Sequence, residues 1–92
     1  MTVKKKPLLL EAHSVITGVR RVMYGSPANG LHKVAAQWNL YLLSKYNLDP
    51  KLTAEDVCWM MADVKKIRQM SKSKRDNVLD AAGYIGLIEE VL

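Results

Sequence analysis

Apolar residues recur at alternating three- and four-residue spacing in four separate segments of this 92-residue chain, and short polar breaks separate the segments. Such spacing places apolar side chains on one face of an α-helix. A strand would need alternation at every second residue, which no segment sustains. The breaks are short enough to make consecutive helices antiparallel neighbours. The pattern therefore predicts an all-α fold, a compact four-helix arrangement in one domain.

Proline, glycine and N-cap residues mark the limits of the four predicted helices. The first helix is expected over residues 7–23, and a turn rich in helix-breaking residues follows at 24–30. The second helix is expected over about 28–46. The third begins after Thr53, an N-cap residue followed by acidic residues that suit the positive end of the helix dipole. The fourth is expected over about 75–91.

The apolar stripe of each helix is the predicted core. The stripes are Leu8, Ala12, Val15, Val19 and Val22; Leu31, Val34, Ala35, Trp38 and Leu42; Val57, Met60, Met61, Val64 and Ile67; and Val78, Ala81, Ala82, Ile85, Ile88 and Leu92. Gly83 and Gly86 each cost the fourth helix roughly 1 kcal/mol relative to alanine, which predicts close helix packing or ligand contact there. Cys58, the single cysteine, is expected to be buried.

Composition narrows the classes of function. A net charge of +5 suits an anionic partner, but no helix carries a dense basic stripe, which makes nucleic acid an unlikely one. One cysteine and two isolated histidines form no disulfide framework and no zinc-ligand pattern. No signal peptide and no membrane-length apolar run is found, so we expect a cytoplasmic protein without membrane contact.

The size of the chain also predicts its organisation. Residues 1–6 are expected to form a flexible basic N-terminus, and residues 7–92 a single helical domain. A domain this small buries a modest share of its surface, so self-association would add stability. We therefore expect a homo-oligomer.

Charged side chains on the last two predicted helices form the first candidate site. Lys65 and Arg68 are three residues apart and share a helix face, as do Asp76, Asp80 and Tyr84, which are four apart. If the helices fold against each other, the cations face the carboxylates. The group is then either a site for an anionic ligand or a salt-bridge network that fixes the packing, and spacing alone favours the network.

The joint between the first two helices is the second candidate site. Arg20 lies near a helix end, where its guanidinium can bind a phosphate through two hydrogen bonds. Tyr24 and Asn29 flank a glycine-containing turn that enters a helix, where backbone N–H groups can face an anion. A plain helix–loop–helix joint explains the same residues, and no Walker pattern is present.

Several motifs occur together in order along the chain. They are Thr-Gly-Val-Arg (17–20), Tyr-Gly-Ser-Pro (24–27), Asn29, Trp38, Leu-Thr-Ala-Glu-Asp-Val (52–57), Lys65, Arg68 and Asp-Asn-Val-Leu-Asp-Ala-Ala-Gly-Tyr (76–84). With these motifs the chain resembles a family of small helical phage and prophage proteins of unknown function. The last motif is also similar to the final helices of all-α nucleotide pyrophosphohydrolases of the MazG type.

The resemblance implies a phage protein that works in the cytoplasm of a bacterial host. The family pattern has acidic residues near the arginine and Tyr-Gly motifs, where this chain has Val19, Met23 and Ser26. The loss of these acids implies binding of a nucleotide-like anion without hydrolysis. The leading hypothesis is therefore a non-catalytic phage protein that sequesters a nucleotide signal of host defence.

Two further hypotheses belong to other classes. A magnesium-dependent nucleotide pyrophosphohydrolase would need a carboxylate cluster, drawn from Glu11, Glu55, Asp76 and Asp80 across an oligomer. An inhibitor that binds a host defence protein would need an exposed apolar surface. Trp59, Met60 and Met61 are the candidates for that surface, since tryptophan and methionine are enriched at interfaces.

Overall fold

The computed structural model describes residues 6–18 and 26–92, and it contains helices and no strand within them. The helices are α1 (Leu8–Thr17), α2 (Pro27–Tyr46), α3 (Ala54–Ser71) and α4 (Arg75–Val91). The predicted all-α class and the four helices are thus confirmed. Most of the N-terminus that was expected to be flexible, residues 1–5, lies outside the described residues.

The end of α1 differs from the prediction. The helix ends at Thr17 rather than near residue 23, and Gly18 follows with φ −90° and ψ −142°, outside the helical region. A Cβ atom on Gly18 would lie 2.5 Å from the carbonyl oxygen of Ser14, so this turn requires glycine. Residues 19–23, which would complete the predicted helix, lie outside the described residues.

Ser26 and Pro27 set the start of α2. The Ser26 hydroxyl accepts a hydrogen bond from the backbone N–H of Ala28 at 3.3 Å. Pro27 lies in the first turn, where its missing N–H costs no helical hydrogen bond. The predicted helix over about 28–46 is confirmed at Pro27–Tyr46, and the turn that was predicted through Gly30 is wrong from Pro27 onward.

A capping box begins α3, as Thr53 predicted. The Thr53 hydroxyl accepts a hydrogen bond from the backbone N–H of Asp56 at 3.2 Å, and the Asp56 carboxylate accepts one from the N–H of Thr53 at 2.8 Å. Two backbone donors that the helix leaves unpaired at its start are thereby satisfied.

Asparagine side chains and backbone shape the connection from α2 to α3. Asn47 ends α2 in the left-handed conformation with φ 54°, and its N–H donates to the carbonyl of Leu43 at 3.0 Å. The Asn39 amide then bonds both backbone groups of Leu52, at 2.9 and 2.8 Å. These two hydrogen bonds tie the connection to α2 and set the position at which α3 starts.

α3 and α4 form a helical hairpin, and α1 and α2 cover one side of it. α3 and α4 run antiparallel, with Lys65 paired to Asp80 across them. α1 runs parallel to α4, since Glu11 near its start binds Arg75 at the start of α4. Ile16 near the end of α1 lies over the two helical glycines of α4, within 3.7 Å of the Cβ positions there. α1 therefore packs over the glycines, but at a distance that leaves ordinary contact room for a Cβ atom at either position.

A small core holds α2 against the hairpin. Its buried members are Leu31, Ala35, Ala54, Val57, Cys58 and Leu87, and partly buried side chains including Trp38, Met61 and Ile88 pack against them. The predicted burial of Cys58 and the predicted core position of Trp38 are confirmed. Burial raises the pKa of the Cys58 thiol, and the charge of Glu55 raises it further.

Part of the predicted core lies at the surface of the chain. Side chains that are between 39% and 82% exposed include Val15, Met60, Val64, Ile67, Val78, Ile85 and Leu92. The prediction was wrong for the residues of α3 and α4 because α1 and α2 cover only one side of the hairpin, and it was also wrong for Val15 on α1 itself. Helical spacing shows which residues share a face, but not whether another helix covers that face.

The shape of the chain follows from this incomplete covering. Its radius of gyration is 15.3 Å, with extents of 58 × 33 × 19 Å, whereas a compact domain of this length would have a radius near 12 Å. The arrangement is thus flatter and longer than the compact one that the sequence predicted. Across the described ranges, no helix is long and apolar enough to cross a membrane.

The capping box gives a prediction about stability. Thr53→Ala should lower the free energy of unfolding by about 1 kcal/mol, because the N–H of Asp56 loses its acceptor. Thr53→Ser keeps the hydroxyl and should stay close to the parent. Urea denaturation of the three proteins measures the difference, and equal midpoints for the alanine variant and the parent would contradict the role of the cap.

Cys58 gives a prediction about reactivity. Since a raised pKa keeps the thiol protonated and the thiolate is the reactive form, native protein should react with a thiol reagent at pH 8 much more slowly than unfolded protein. Absorbance after addition of a chromogenic disulfide measures both rates. Similar rates with and without urea would show that Cys58 is accessible in the native state.

Candidate functional site

A groove opens between α1, the first turns of α2 and the α3–α4 hairpin. Its volume is about 740 Å³, within the range typical of small-molecule sites. Polar side chains on its wall are Ser26, Asn29, Lys33, Lys65, Asp80 and Tyr84, and apolar ones include Val15, Ile16, Leu79 and Leu87. The groove therefore joins a polar region with an apolar wall.

Positive charge collects at the α2 side of the groove. α2 begins there, so the positive end of its dipole lies at the groove. Lys33 is one turn further along α2, and within the described ranges its ammonium has no carboxylate at salt-bridge distance. Lys65 reaches the groove from α3. These groups together make this region suited to an anion.

The Lys65–Asp80 ion pair crosses the hairpin beside the groove. The Lys65 ammonium lies 3.1 Å from a carboxylate oxygen of Asp80, and the side chains are 15% and 45% exposed. A partly shielded pair is screened less by salt than a fully exposed one. It holds Lys65 at the groove and neutralises Asp80, so the uncompensated charge among these three residues is that of Lys33.

The apolar wall comes from α1 and α4. Tyr84 is half-buried and lies one turn after Asp80 on α4, so both side chains line the groove. Gly83 lies on the wall between them, and a Cβ atom there would meet only the Ile16 methyl group, at 3.7 Å. This half of the groove offers a flat aromatic ring and aliphatic side chains.

The structure brings together four of the eight residues that the sequence nominated. The groove is lined by Asn29, Lys65, Asp80 and Tyr84. Residues from both predicted candidate sites, the one between the first two helices and the one on the last two, therefore lie in the same groove. Arg68 is exposed and does not line the groove. Arg20 and Tyr24 lie outside the described residues.

Asp76 lies in a second, smaller depression with Lys6, Glu11 and Arg75. There the Arg75 guanidinium binds the Glu11 carboxylate and donates to the backbone carbonyl of Lys6 at 2.9 Å. The Lys6 ammonium donates to the Ser14 hydroxyl at 2.6 Å. These bonds join the start of α1 to the start of α4, so the cluster acts as a brace.

The sequence analysis did not identify Lys33, a groove cation that has no carboxylate partner among the described residues. Asn29 and Lys33 are four residues apart and therefore share a face of α2. A helix that began at Pro27 would have placed both beside its positive end. The signal was missed because the candidate site was sought in the turn at 24–30 and not on the face of the helix predicted from about residue 28.

The carboxylates that a magnesium enzyme would need are engaged separately. Glu11 pairs with Arg75, Asp80 pairs with Lys65, and Glu55 accepts a hydrogen bond from the Trp59 indole at 3.1 Å. In the parts of the chain with described coordinates, no three histidine, cysteine or acidic side chains are grouped to hold a metal ion. Within the described residues of a single chain, Glu11, Glu55 and Asp80 are therefore not grouped around one ion.

Comparisons with known proteins place the chain beside phage proteins. Residues 7–92 match a family model described as a domain of unknown function, DUF6378. The chain is similar to the Gene 55 protein of Mycobacterium phage L5, with 32% identity over 85 residues. That alignment covers 91% of this chain and 51% of the phage protein, so the chain spans about half the length of this relative. No solved structure matches the chain.

A double-mutant cycle measures how far Lys65 and Asp80 stabilise the hairpin. Lys65→Met, Asp80→Asn and the double variant should give a coupling free energy of about 1 kcal/mol, because the pair is partly shielded from water. The coupling should fall in 1 M NaCl. Additive effects of the two single substitutions on urea unfolding would show that the pair does not brace the helices.

Proposed function

This chain belongs to the DUF6378 family, whose function is unknown, and from that premise we propose that it is a phage-encoded, non-catalytic protein that binds a nucleotide-like anion. The ligand occupies the groove between α1, α2 and the hairpin. The observation that carries the proposal is the position of Lys33, a cation without a carboxylate partner in the described ranges, beside the positive end of α2. Such a combination attracts phosphate.

The two halves of the groove suit the two halves of a nucleotide. Lys33, Lys65 and the first turn of α2 would bind phosphate oxygens. The Tyr84 ring and the aliphatic wall would hold a base, since aromatic rings stack on bases. Asn29 and the exposed part of Asp80 offer hydrogen bonds to ribose hydroxyls.

Sequestration is the role that we propose for this binder. A phage relative, and described groove residues that form no carboxylate cluster, favour a protein that removes a host signal by holding it. The proposed biological role is therefore to lower the free concentration of a nucleotide signal of host defence in the bacterial cytoplasm. A binder of this kind acts in proportion to its own concentration.

A magnesium-dependent pyrophosphohydrolase is the less favoured function. It rests on the similarity of the last motif, residues 76–84, to enzymes of the MazG type. It would need Glu11, Glu55, Asp76 and Asp80 around one ion across an oligomer, and three of these are bound elsewhere: Glu11 to Arg75, Asp80 to Lys65 and Glu55 to the Trp59 indole. Product analysis after incubation with magnesium distinguishes a binder, which returns the nucleotide unchanged, from an enzyme.

A protein-binding inhibitor is favoured by one observation. Trp59 and Met60 are both exposed on α3, at 47% and 40%, and side chains of these types are enriched at protein interfaces. A host defence protein is the partner in this alternative. A self-associating chain is also part of our proposal, because many large apolar side chains on α3 and α4 remain uncovered.

A thermal-shift screen tests the proposed ligand class. Purified protein is heated with nucleoside triphosphates and with cyclic di- and trinucleotides, with and without magnesium. A ligand that binds only the folded state raises the melting temperature. No shift with any of these nucleotides would overturn the proposal and favour a protein partner.

Matched substitutions then locate the site. Calorimetry of the best nucleotide should show about tenfold weaker binding for Lys33→Gln, equivalent to roughly 1.4 kcal/mol. Lys66→Gln removes an exposed lysine that does not line the groove and should bind like the parent. Equal losses in both variants would mean that only the net charge matters.

Two glycine substitutions on α4 separate an effect on nucleotide binding from an effect on stability. Gly83→Ala and Gly86→Ala should each stabilise α4 by up to about 1 kcal/mol, because a Cβ atom at either position meets only Ile16 at ordinary contact distance. Gly83 lines the groove and Gly86 does not. Only Gly83→Ala should weaken nucleotide binding, and an unchanged affinity would place the ligand elsewhere.

A further inference from the structure

An exposed apolar line runs along α4 on the side away from the groove. Val78, Ile85 and Leu92 are seven residues apart and are 41%, 47% and 82% exposed. A seven-residue repeat places side chains along one line of a helix. Gly83 and Leu87, which are buried, face roughly the opposite direction on the helical wheel. The line therefore lies outside the contacts that α4 makes within the chain.

α3 extends this surface. Trp59 and Met70 are exposed, at 47% and 78%, and they are eleven residues, or three turns, apart on one line of α3. In the register set by the Lys65–Asp80 pair, Trp59 is level with Gly86, one residue from Ile85. We define the hairpin face as Trp59, Met70, Val78, Ile85 and Leu92.

The hairpin has opposite charges at its two ends. The half next to the α3–α4 loop, residues 64–79, contains six lysines and arginines and one aspartate, a net charge of +5. The open half, residues 54–63 and 80–92, contains six acidic residues and no lysine or arginine, a net charge of −6. Two hairpins placed side by side in the same direction would repel each other at both ends, whereas two in opposite directions would attract.

We propose that the hairpin face binds a second copy of this chain, with the two hairpins stacked in opposite directions. The loop half of one subunit then lies over the open half of the other. A basic half meets an acidic half at both ends even when the charges paired within the chain, Lys65–Asp80 and Arg75–Glu11, are set aside. The symmetry is two-fold, so one surface serves both subunits.

The small residues at the middle of α4 fit this arrangement. A two-fold axis beside Ala81 and Ala82 places Val78 of one subunit against Ile85 of the partner subunit. Both alanines are half-buried in the single chain, and their small side chains allow the two α4 helices to approach closely. The residues that the sequence predicted as core on α4 thereby become core between subunits.

The size of the face suits a stable dimer. A hairpin of 18- and 17-residue helices is about 26 Å long and two helices wide, which gives about 500 Å² in projection. Interdigitating side chains bury more accessible surface than the projection, so the face approaches the roughly 800 Å² per partner of standard interfaces. The inference does not rest on a ligand, because the groove lies on the other side of the hairpin.

Sedimentation equilibrium tests the assembly with the full chain. The parent should have twice the 10.4 kDa mass of the chain. Ile85→Glu should return it to one chain mass, because the substitution buries a charge in the proposed interface. Leu40→Glu changes a side chain of similar exposure on α2 and should leave the dimer intact.

Circular dichroism keeps this test interpretable. Ile85→Glu should retain the helicity of the parent, and Val78→Gln serves as a second interface variant if it does not. A parent protein that sediments with the mass of one chain overturns the proposal, even if the hairpin face then proves to bind a different protein. A dimer that Ile85→Glu and Val78→Gln leave intact also overturns it.

Disulfide cross-linking tests the direction of stacking. Mixed Val78→Cys and Ile85→Cys proteins should form a covalent dimer on oxidation, while either variant alone should form little. Native Cys58 is buried and does not interfere. Strong cross-linking between two Val78→Cys chains would show that the loop halves of the two hairpins meet, and would overturn the opposed arrangement.

Charge supplies an independent measure of the same arrangement. Lys72→Glu with Lys74→Glu should raise the dimer dissociation constant several-fold, because it removes positive charge from the loop half. The same pair of substitutions would strengthen a dimer in which loop halves meet. A lower dissociation constant for this variant would therefore contradict the proposal.

Discussion

The small core around Val57 and Cys58 is the constraint on which the rest of the structure depends. Both side chains are almost fully buried, and they hold α2 against the hairpin. A chain of this length can build only one such centre. Polar contacts at a distance from the core, such as the Asn39–Leu52 bonds and the Arg75–Glu11 pair, must therefore fix the ends of the helices.

Placing the core on one side of the hairpin creates both surfaces of functional interest. Toward α1 and α2, the helices diverge enough to leave a groove beside Lys33 and Tyr84. Away from them, the hairpin keeps Val78 and Ile85 at the surface. The same helix, α4, thus separates a polar concave site from an apolar face, and Ile16 of α1 packs over its two glycines.

Local sequence signals predicted the helices well and their environment less well. Thr53 identified the start of α3 because a capping box involves neighbouring residues only. Burial of Ile67 and Val78 was predicted wrongly, because their exposure depends on how many helices cover the hairpin. The Lys65–Asp80 contact followed from spacing, but Asp76, one turn earlier, contributes to the depression beside α1, because four residues rotate a helix by about 400° and shift it by about 6 Å.

The opposed charges of the hairpin ends also bear on how a small basic protein avoids unspecific binding. The net charge of +5 is unevenly distributed: residues 1–6 and residues 7–53 carry +3 each, the loop half carries +5, and the open half carries −6. In a dimer of opposed hairpins, the acidic half of each subunit neutralises the basic half of its partner. The groove cations Lys33 and Lys65 lie on the outer side of this pair and keep their access to a ligand. Assembly would therefore remove positive charge where it attracts polyanions without selectivity, and would leave it where the groove selects a small anion by shape.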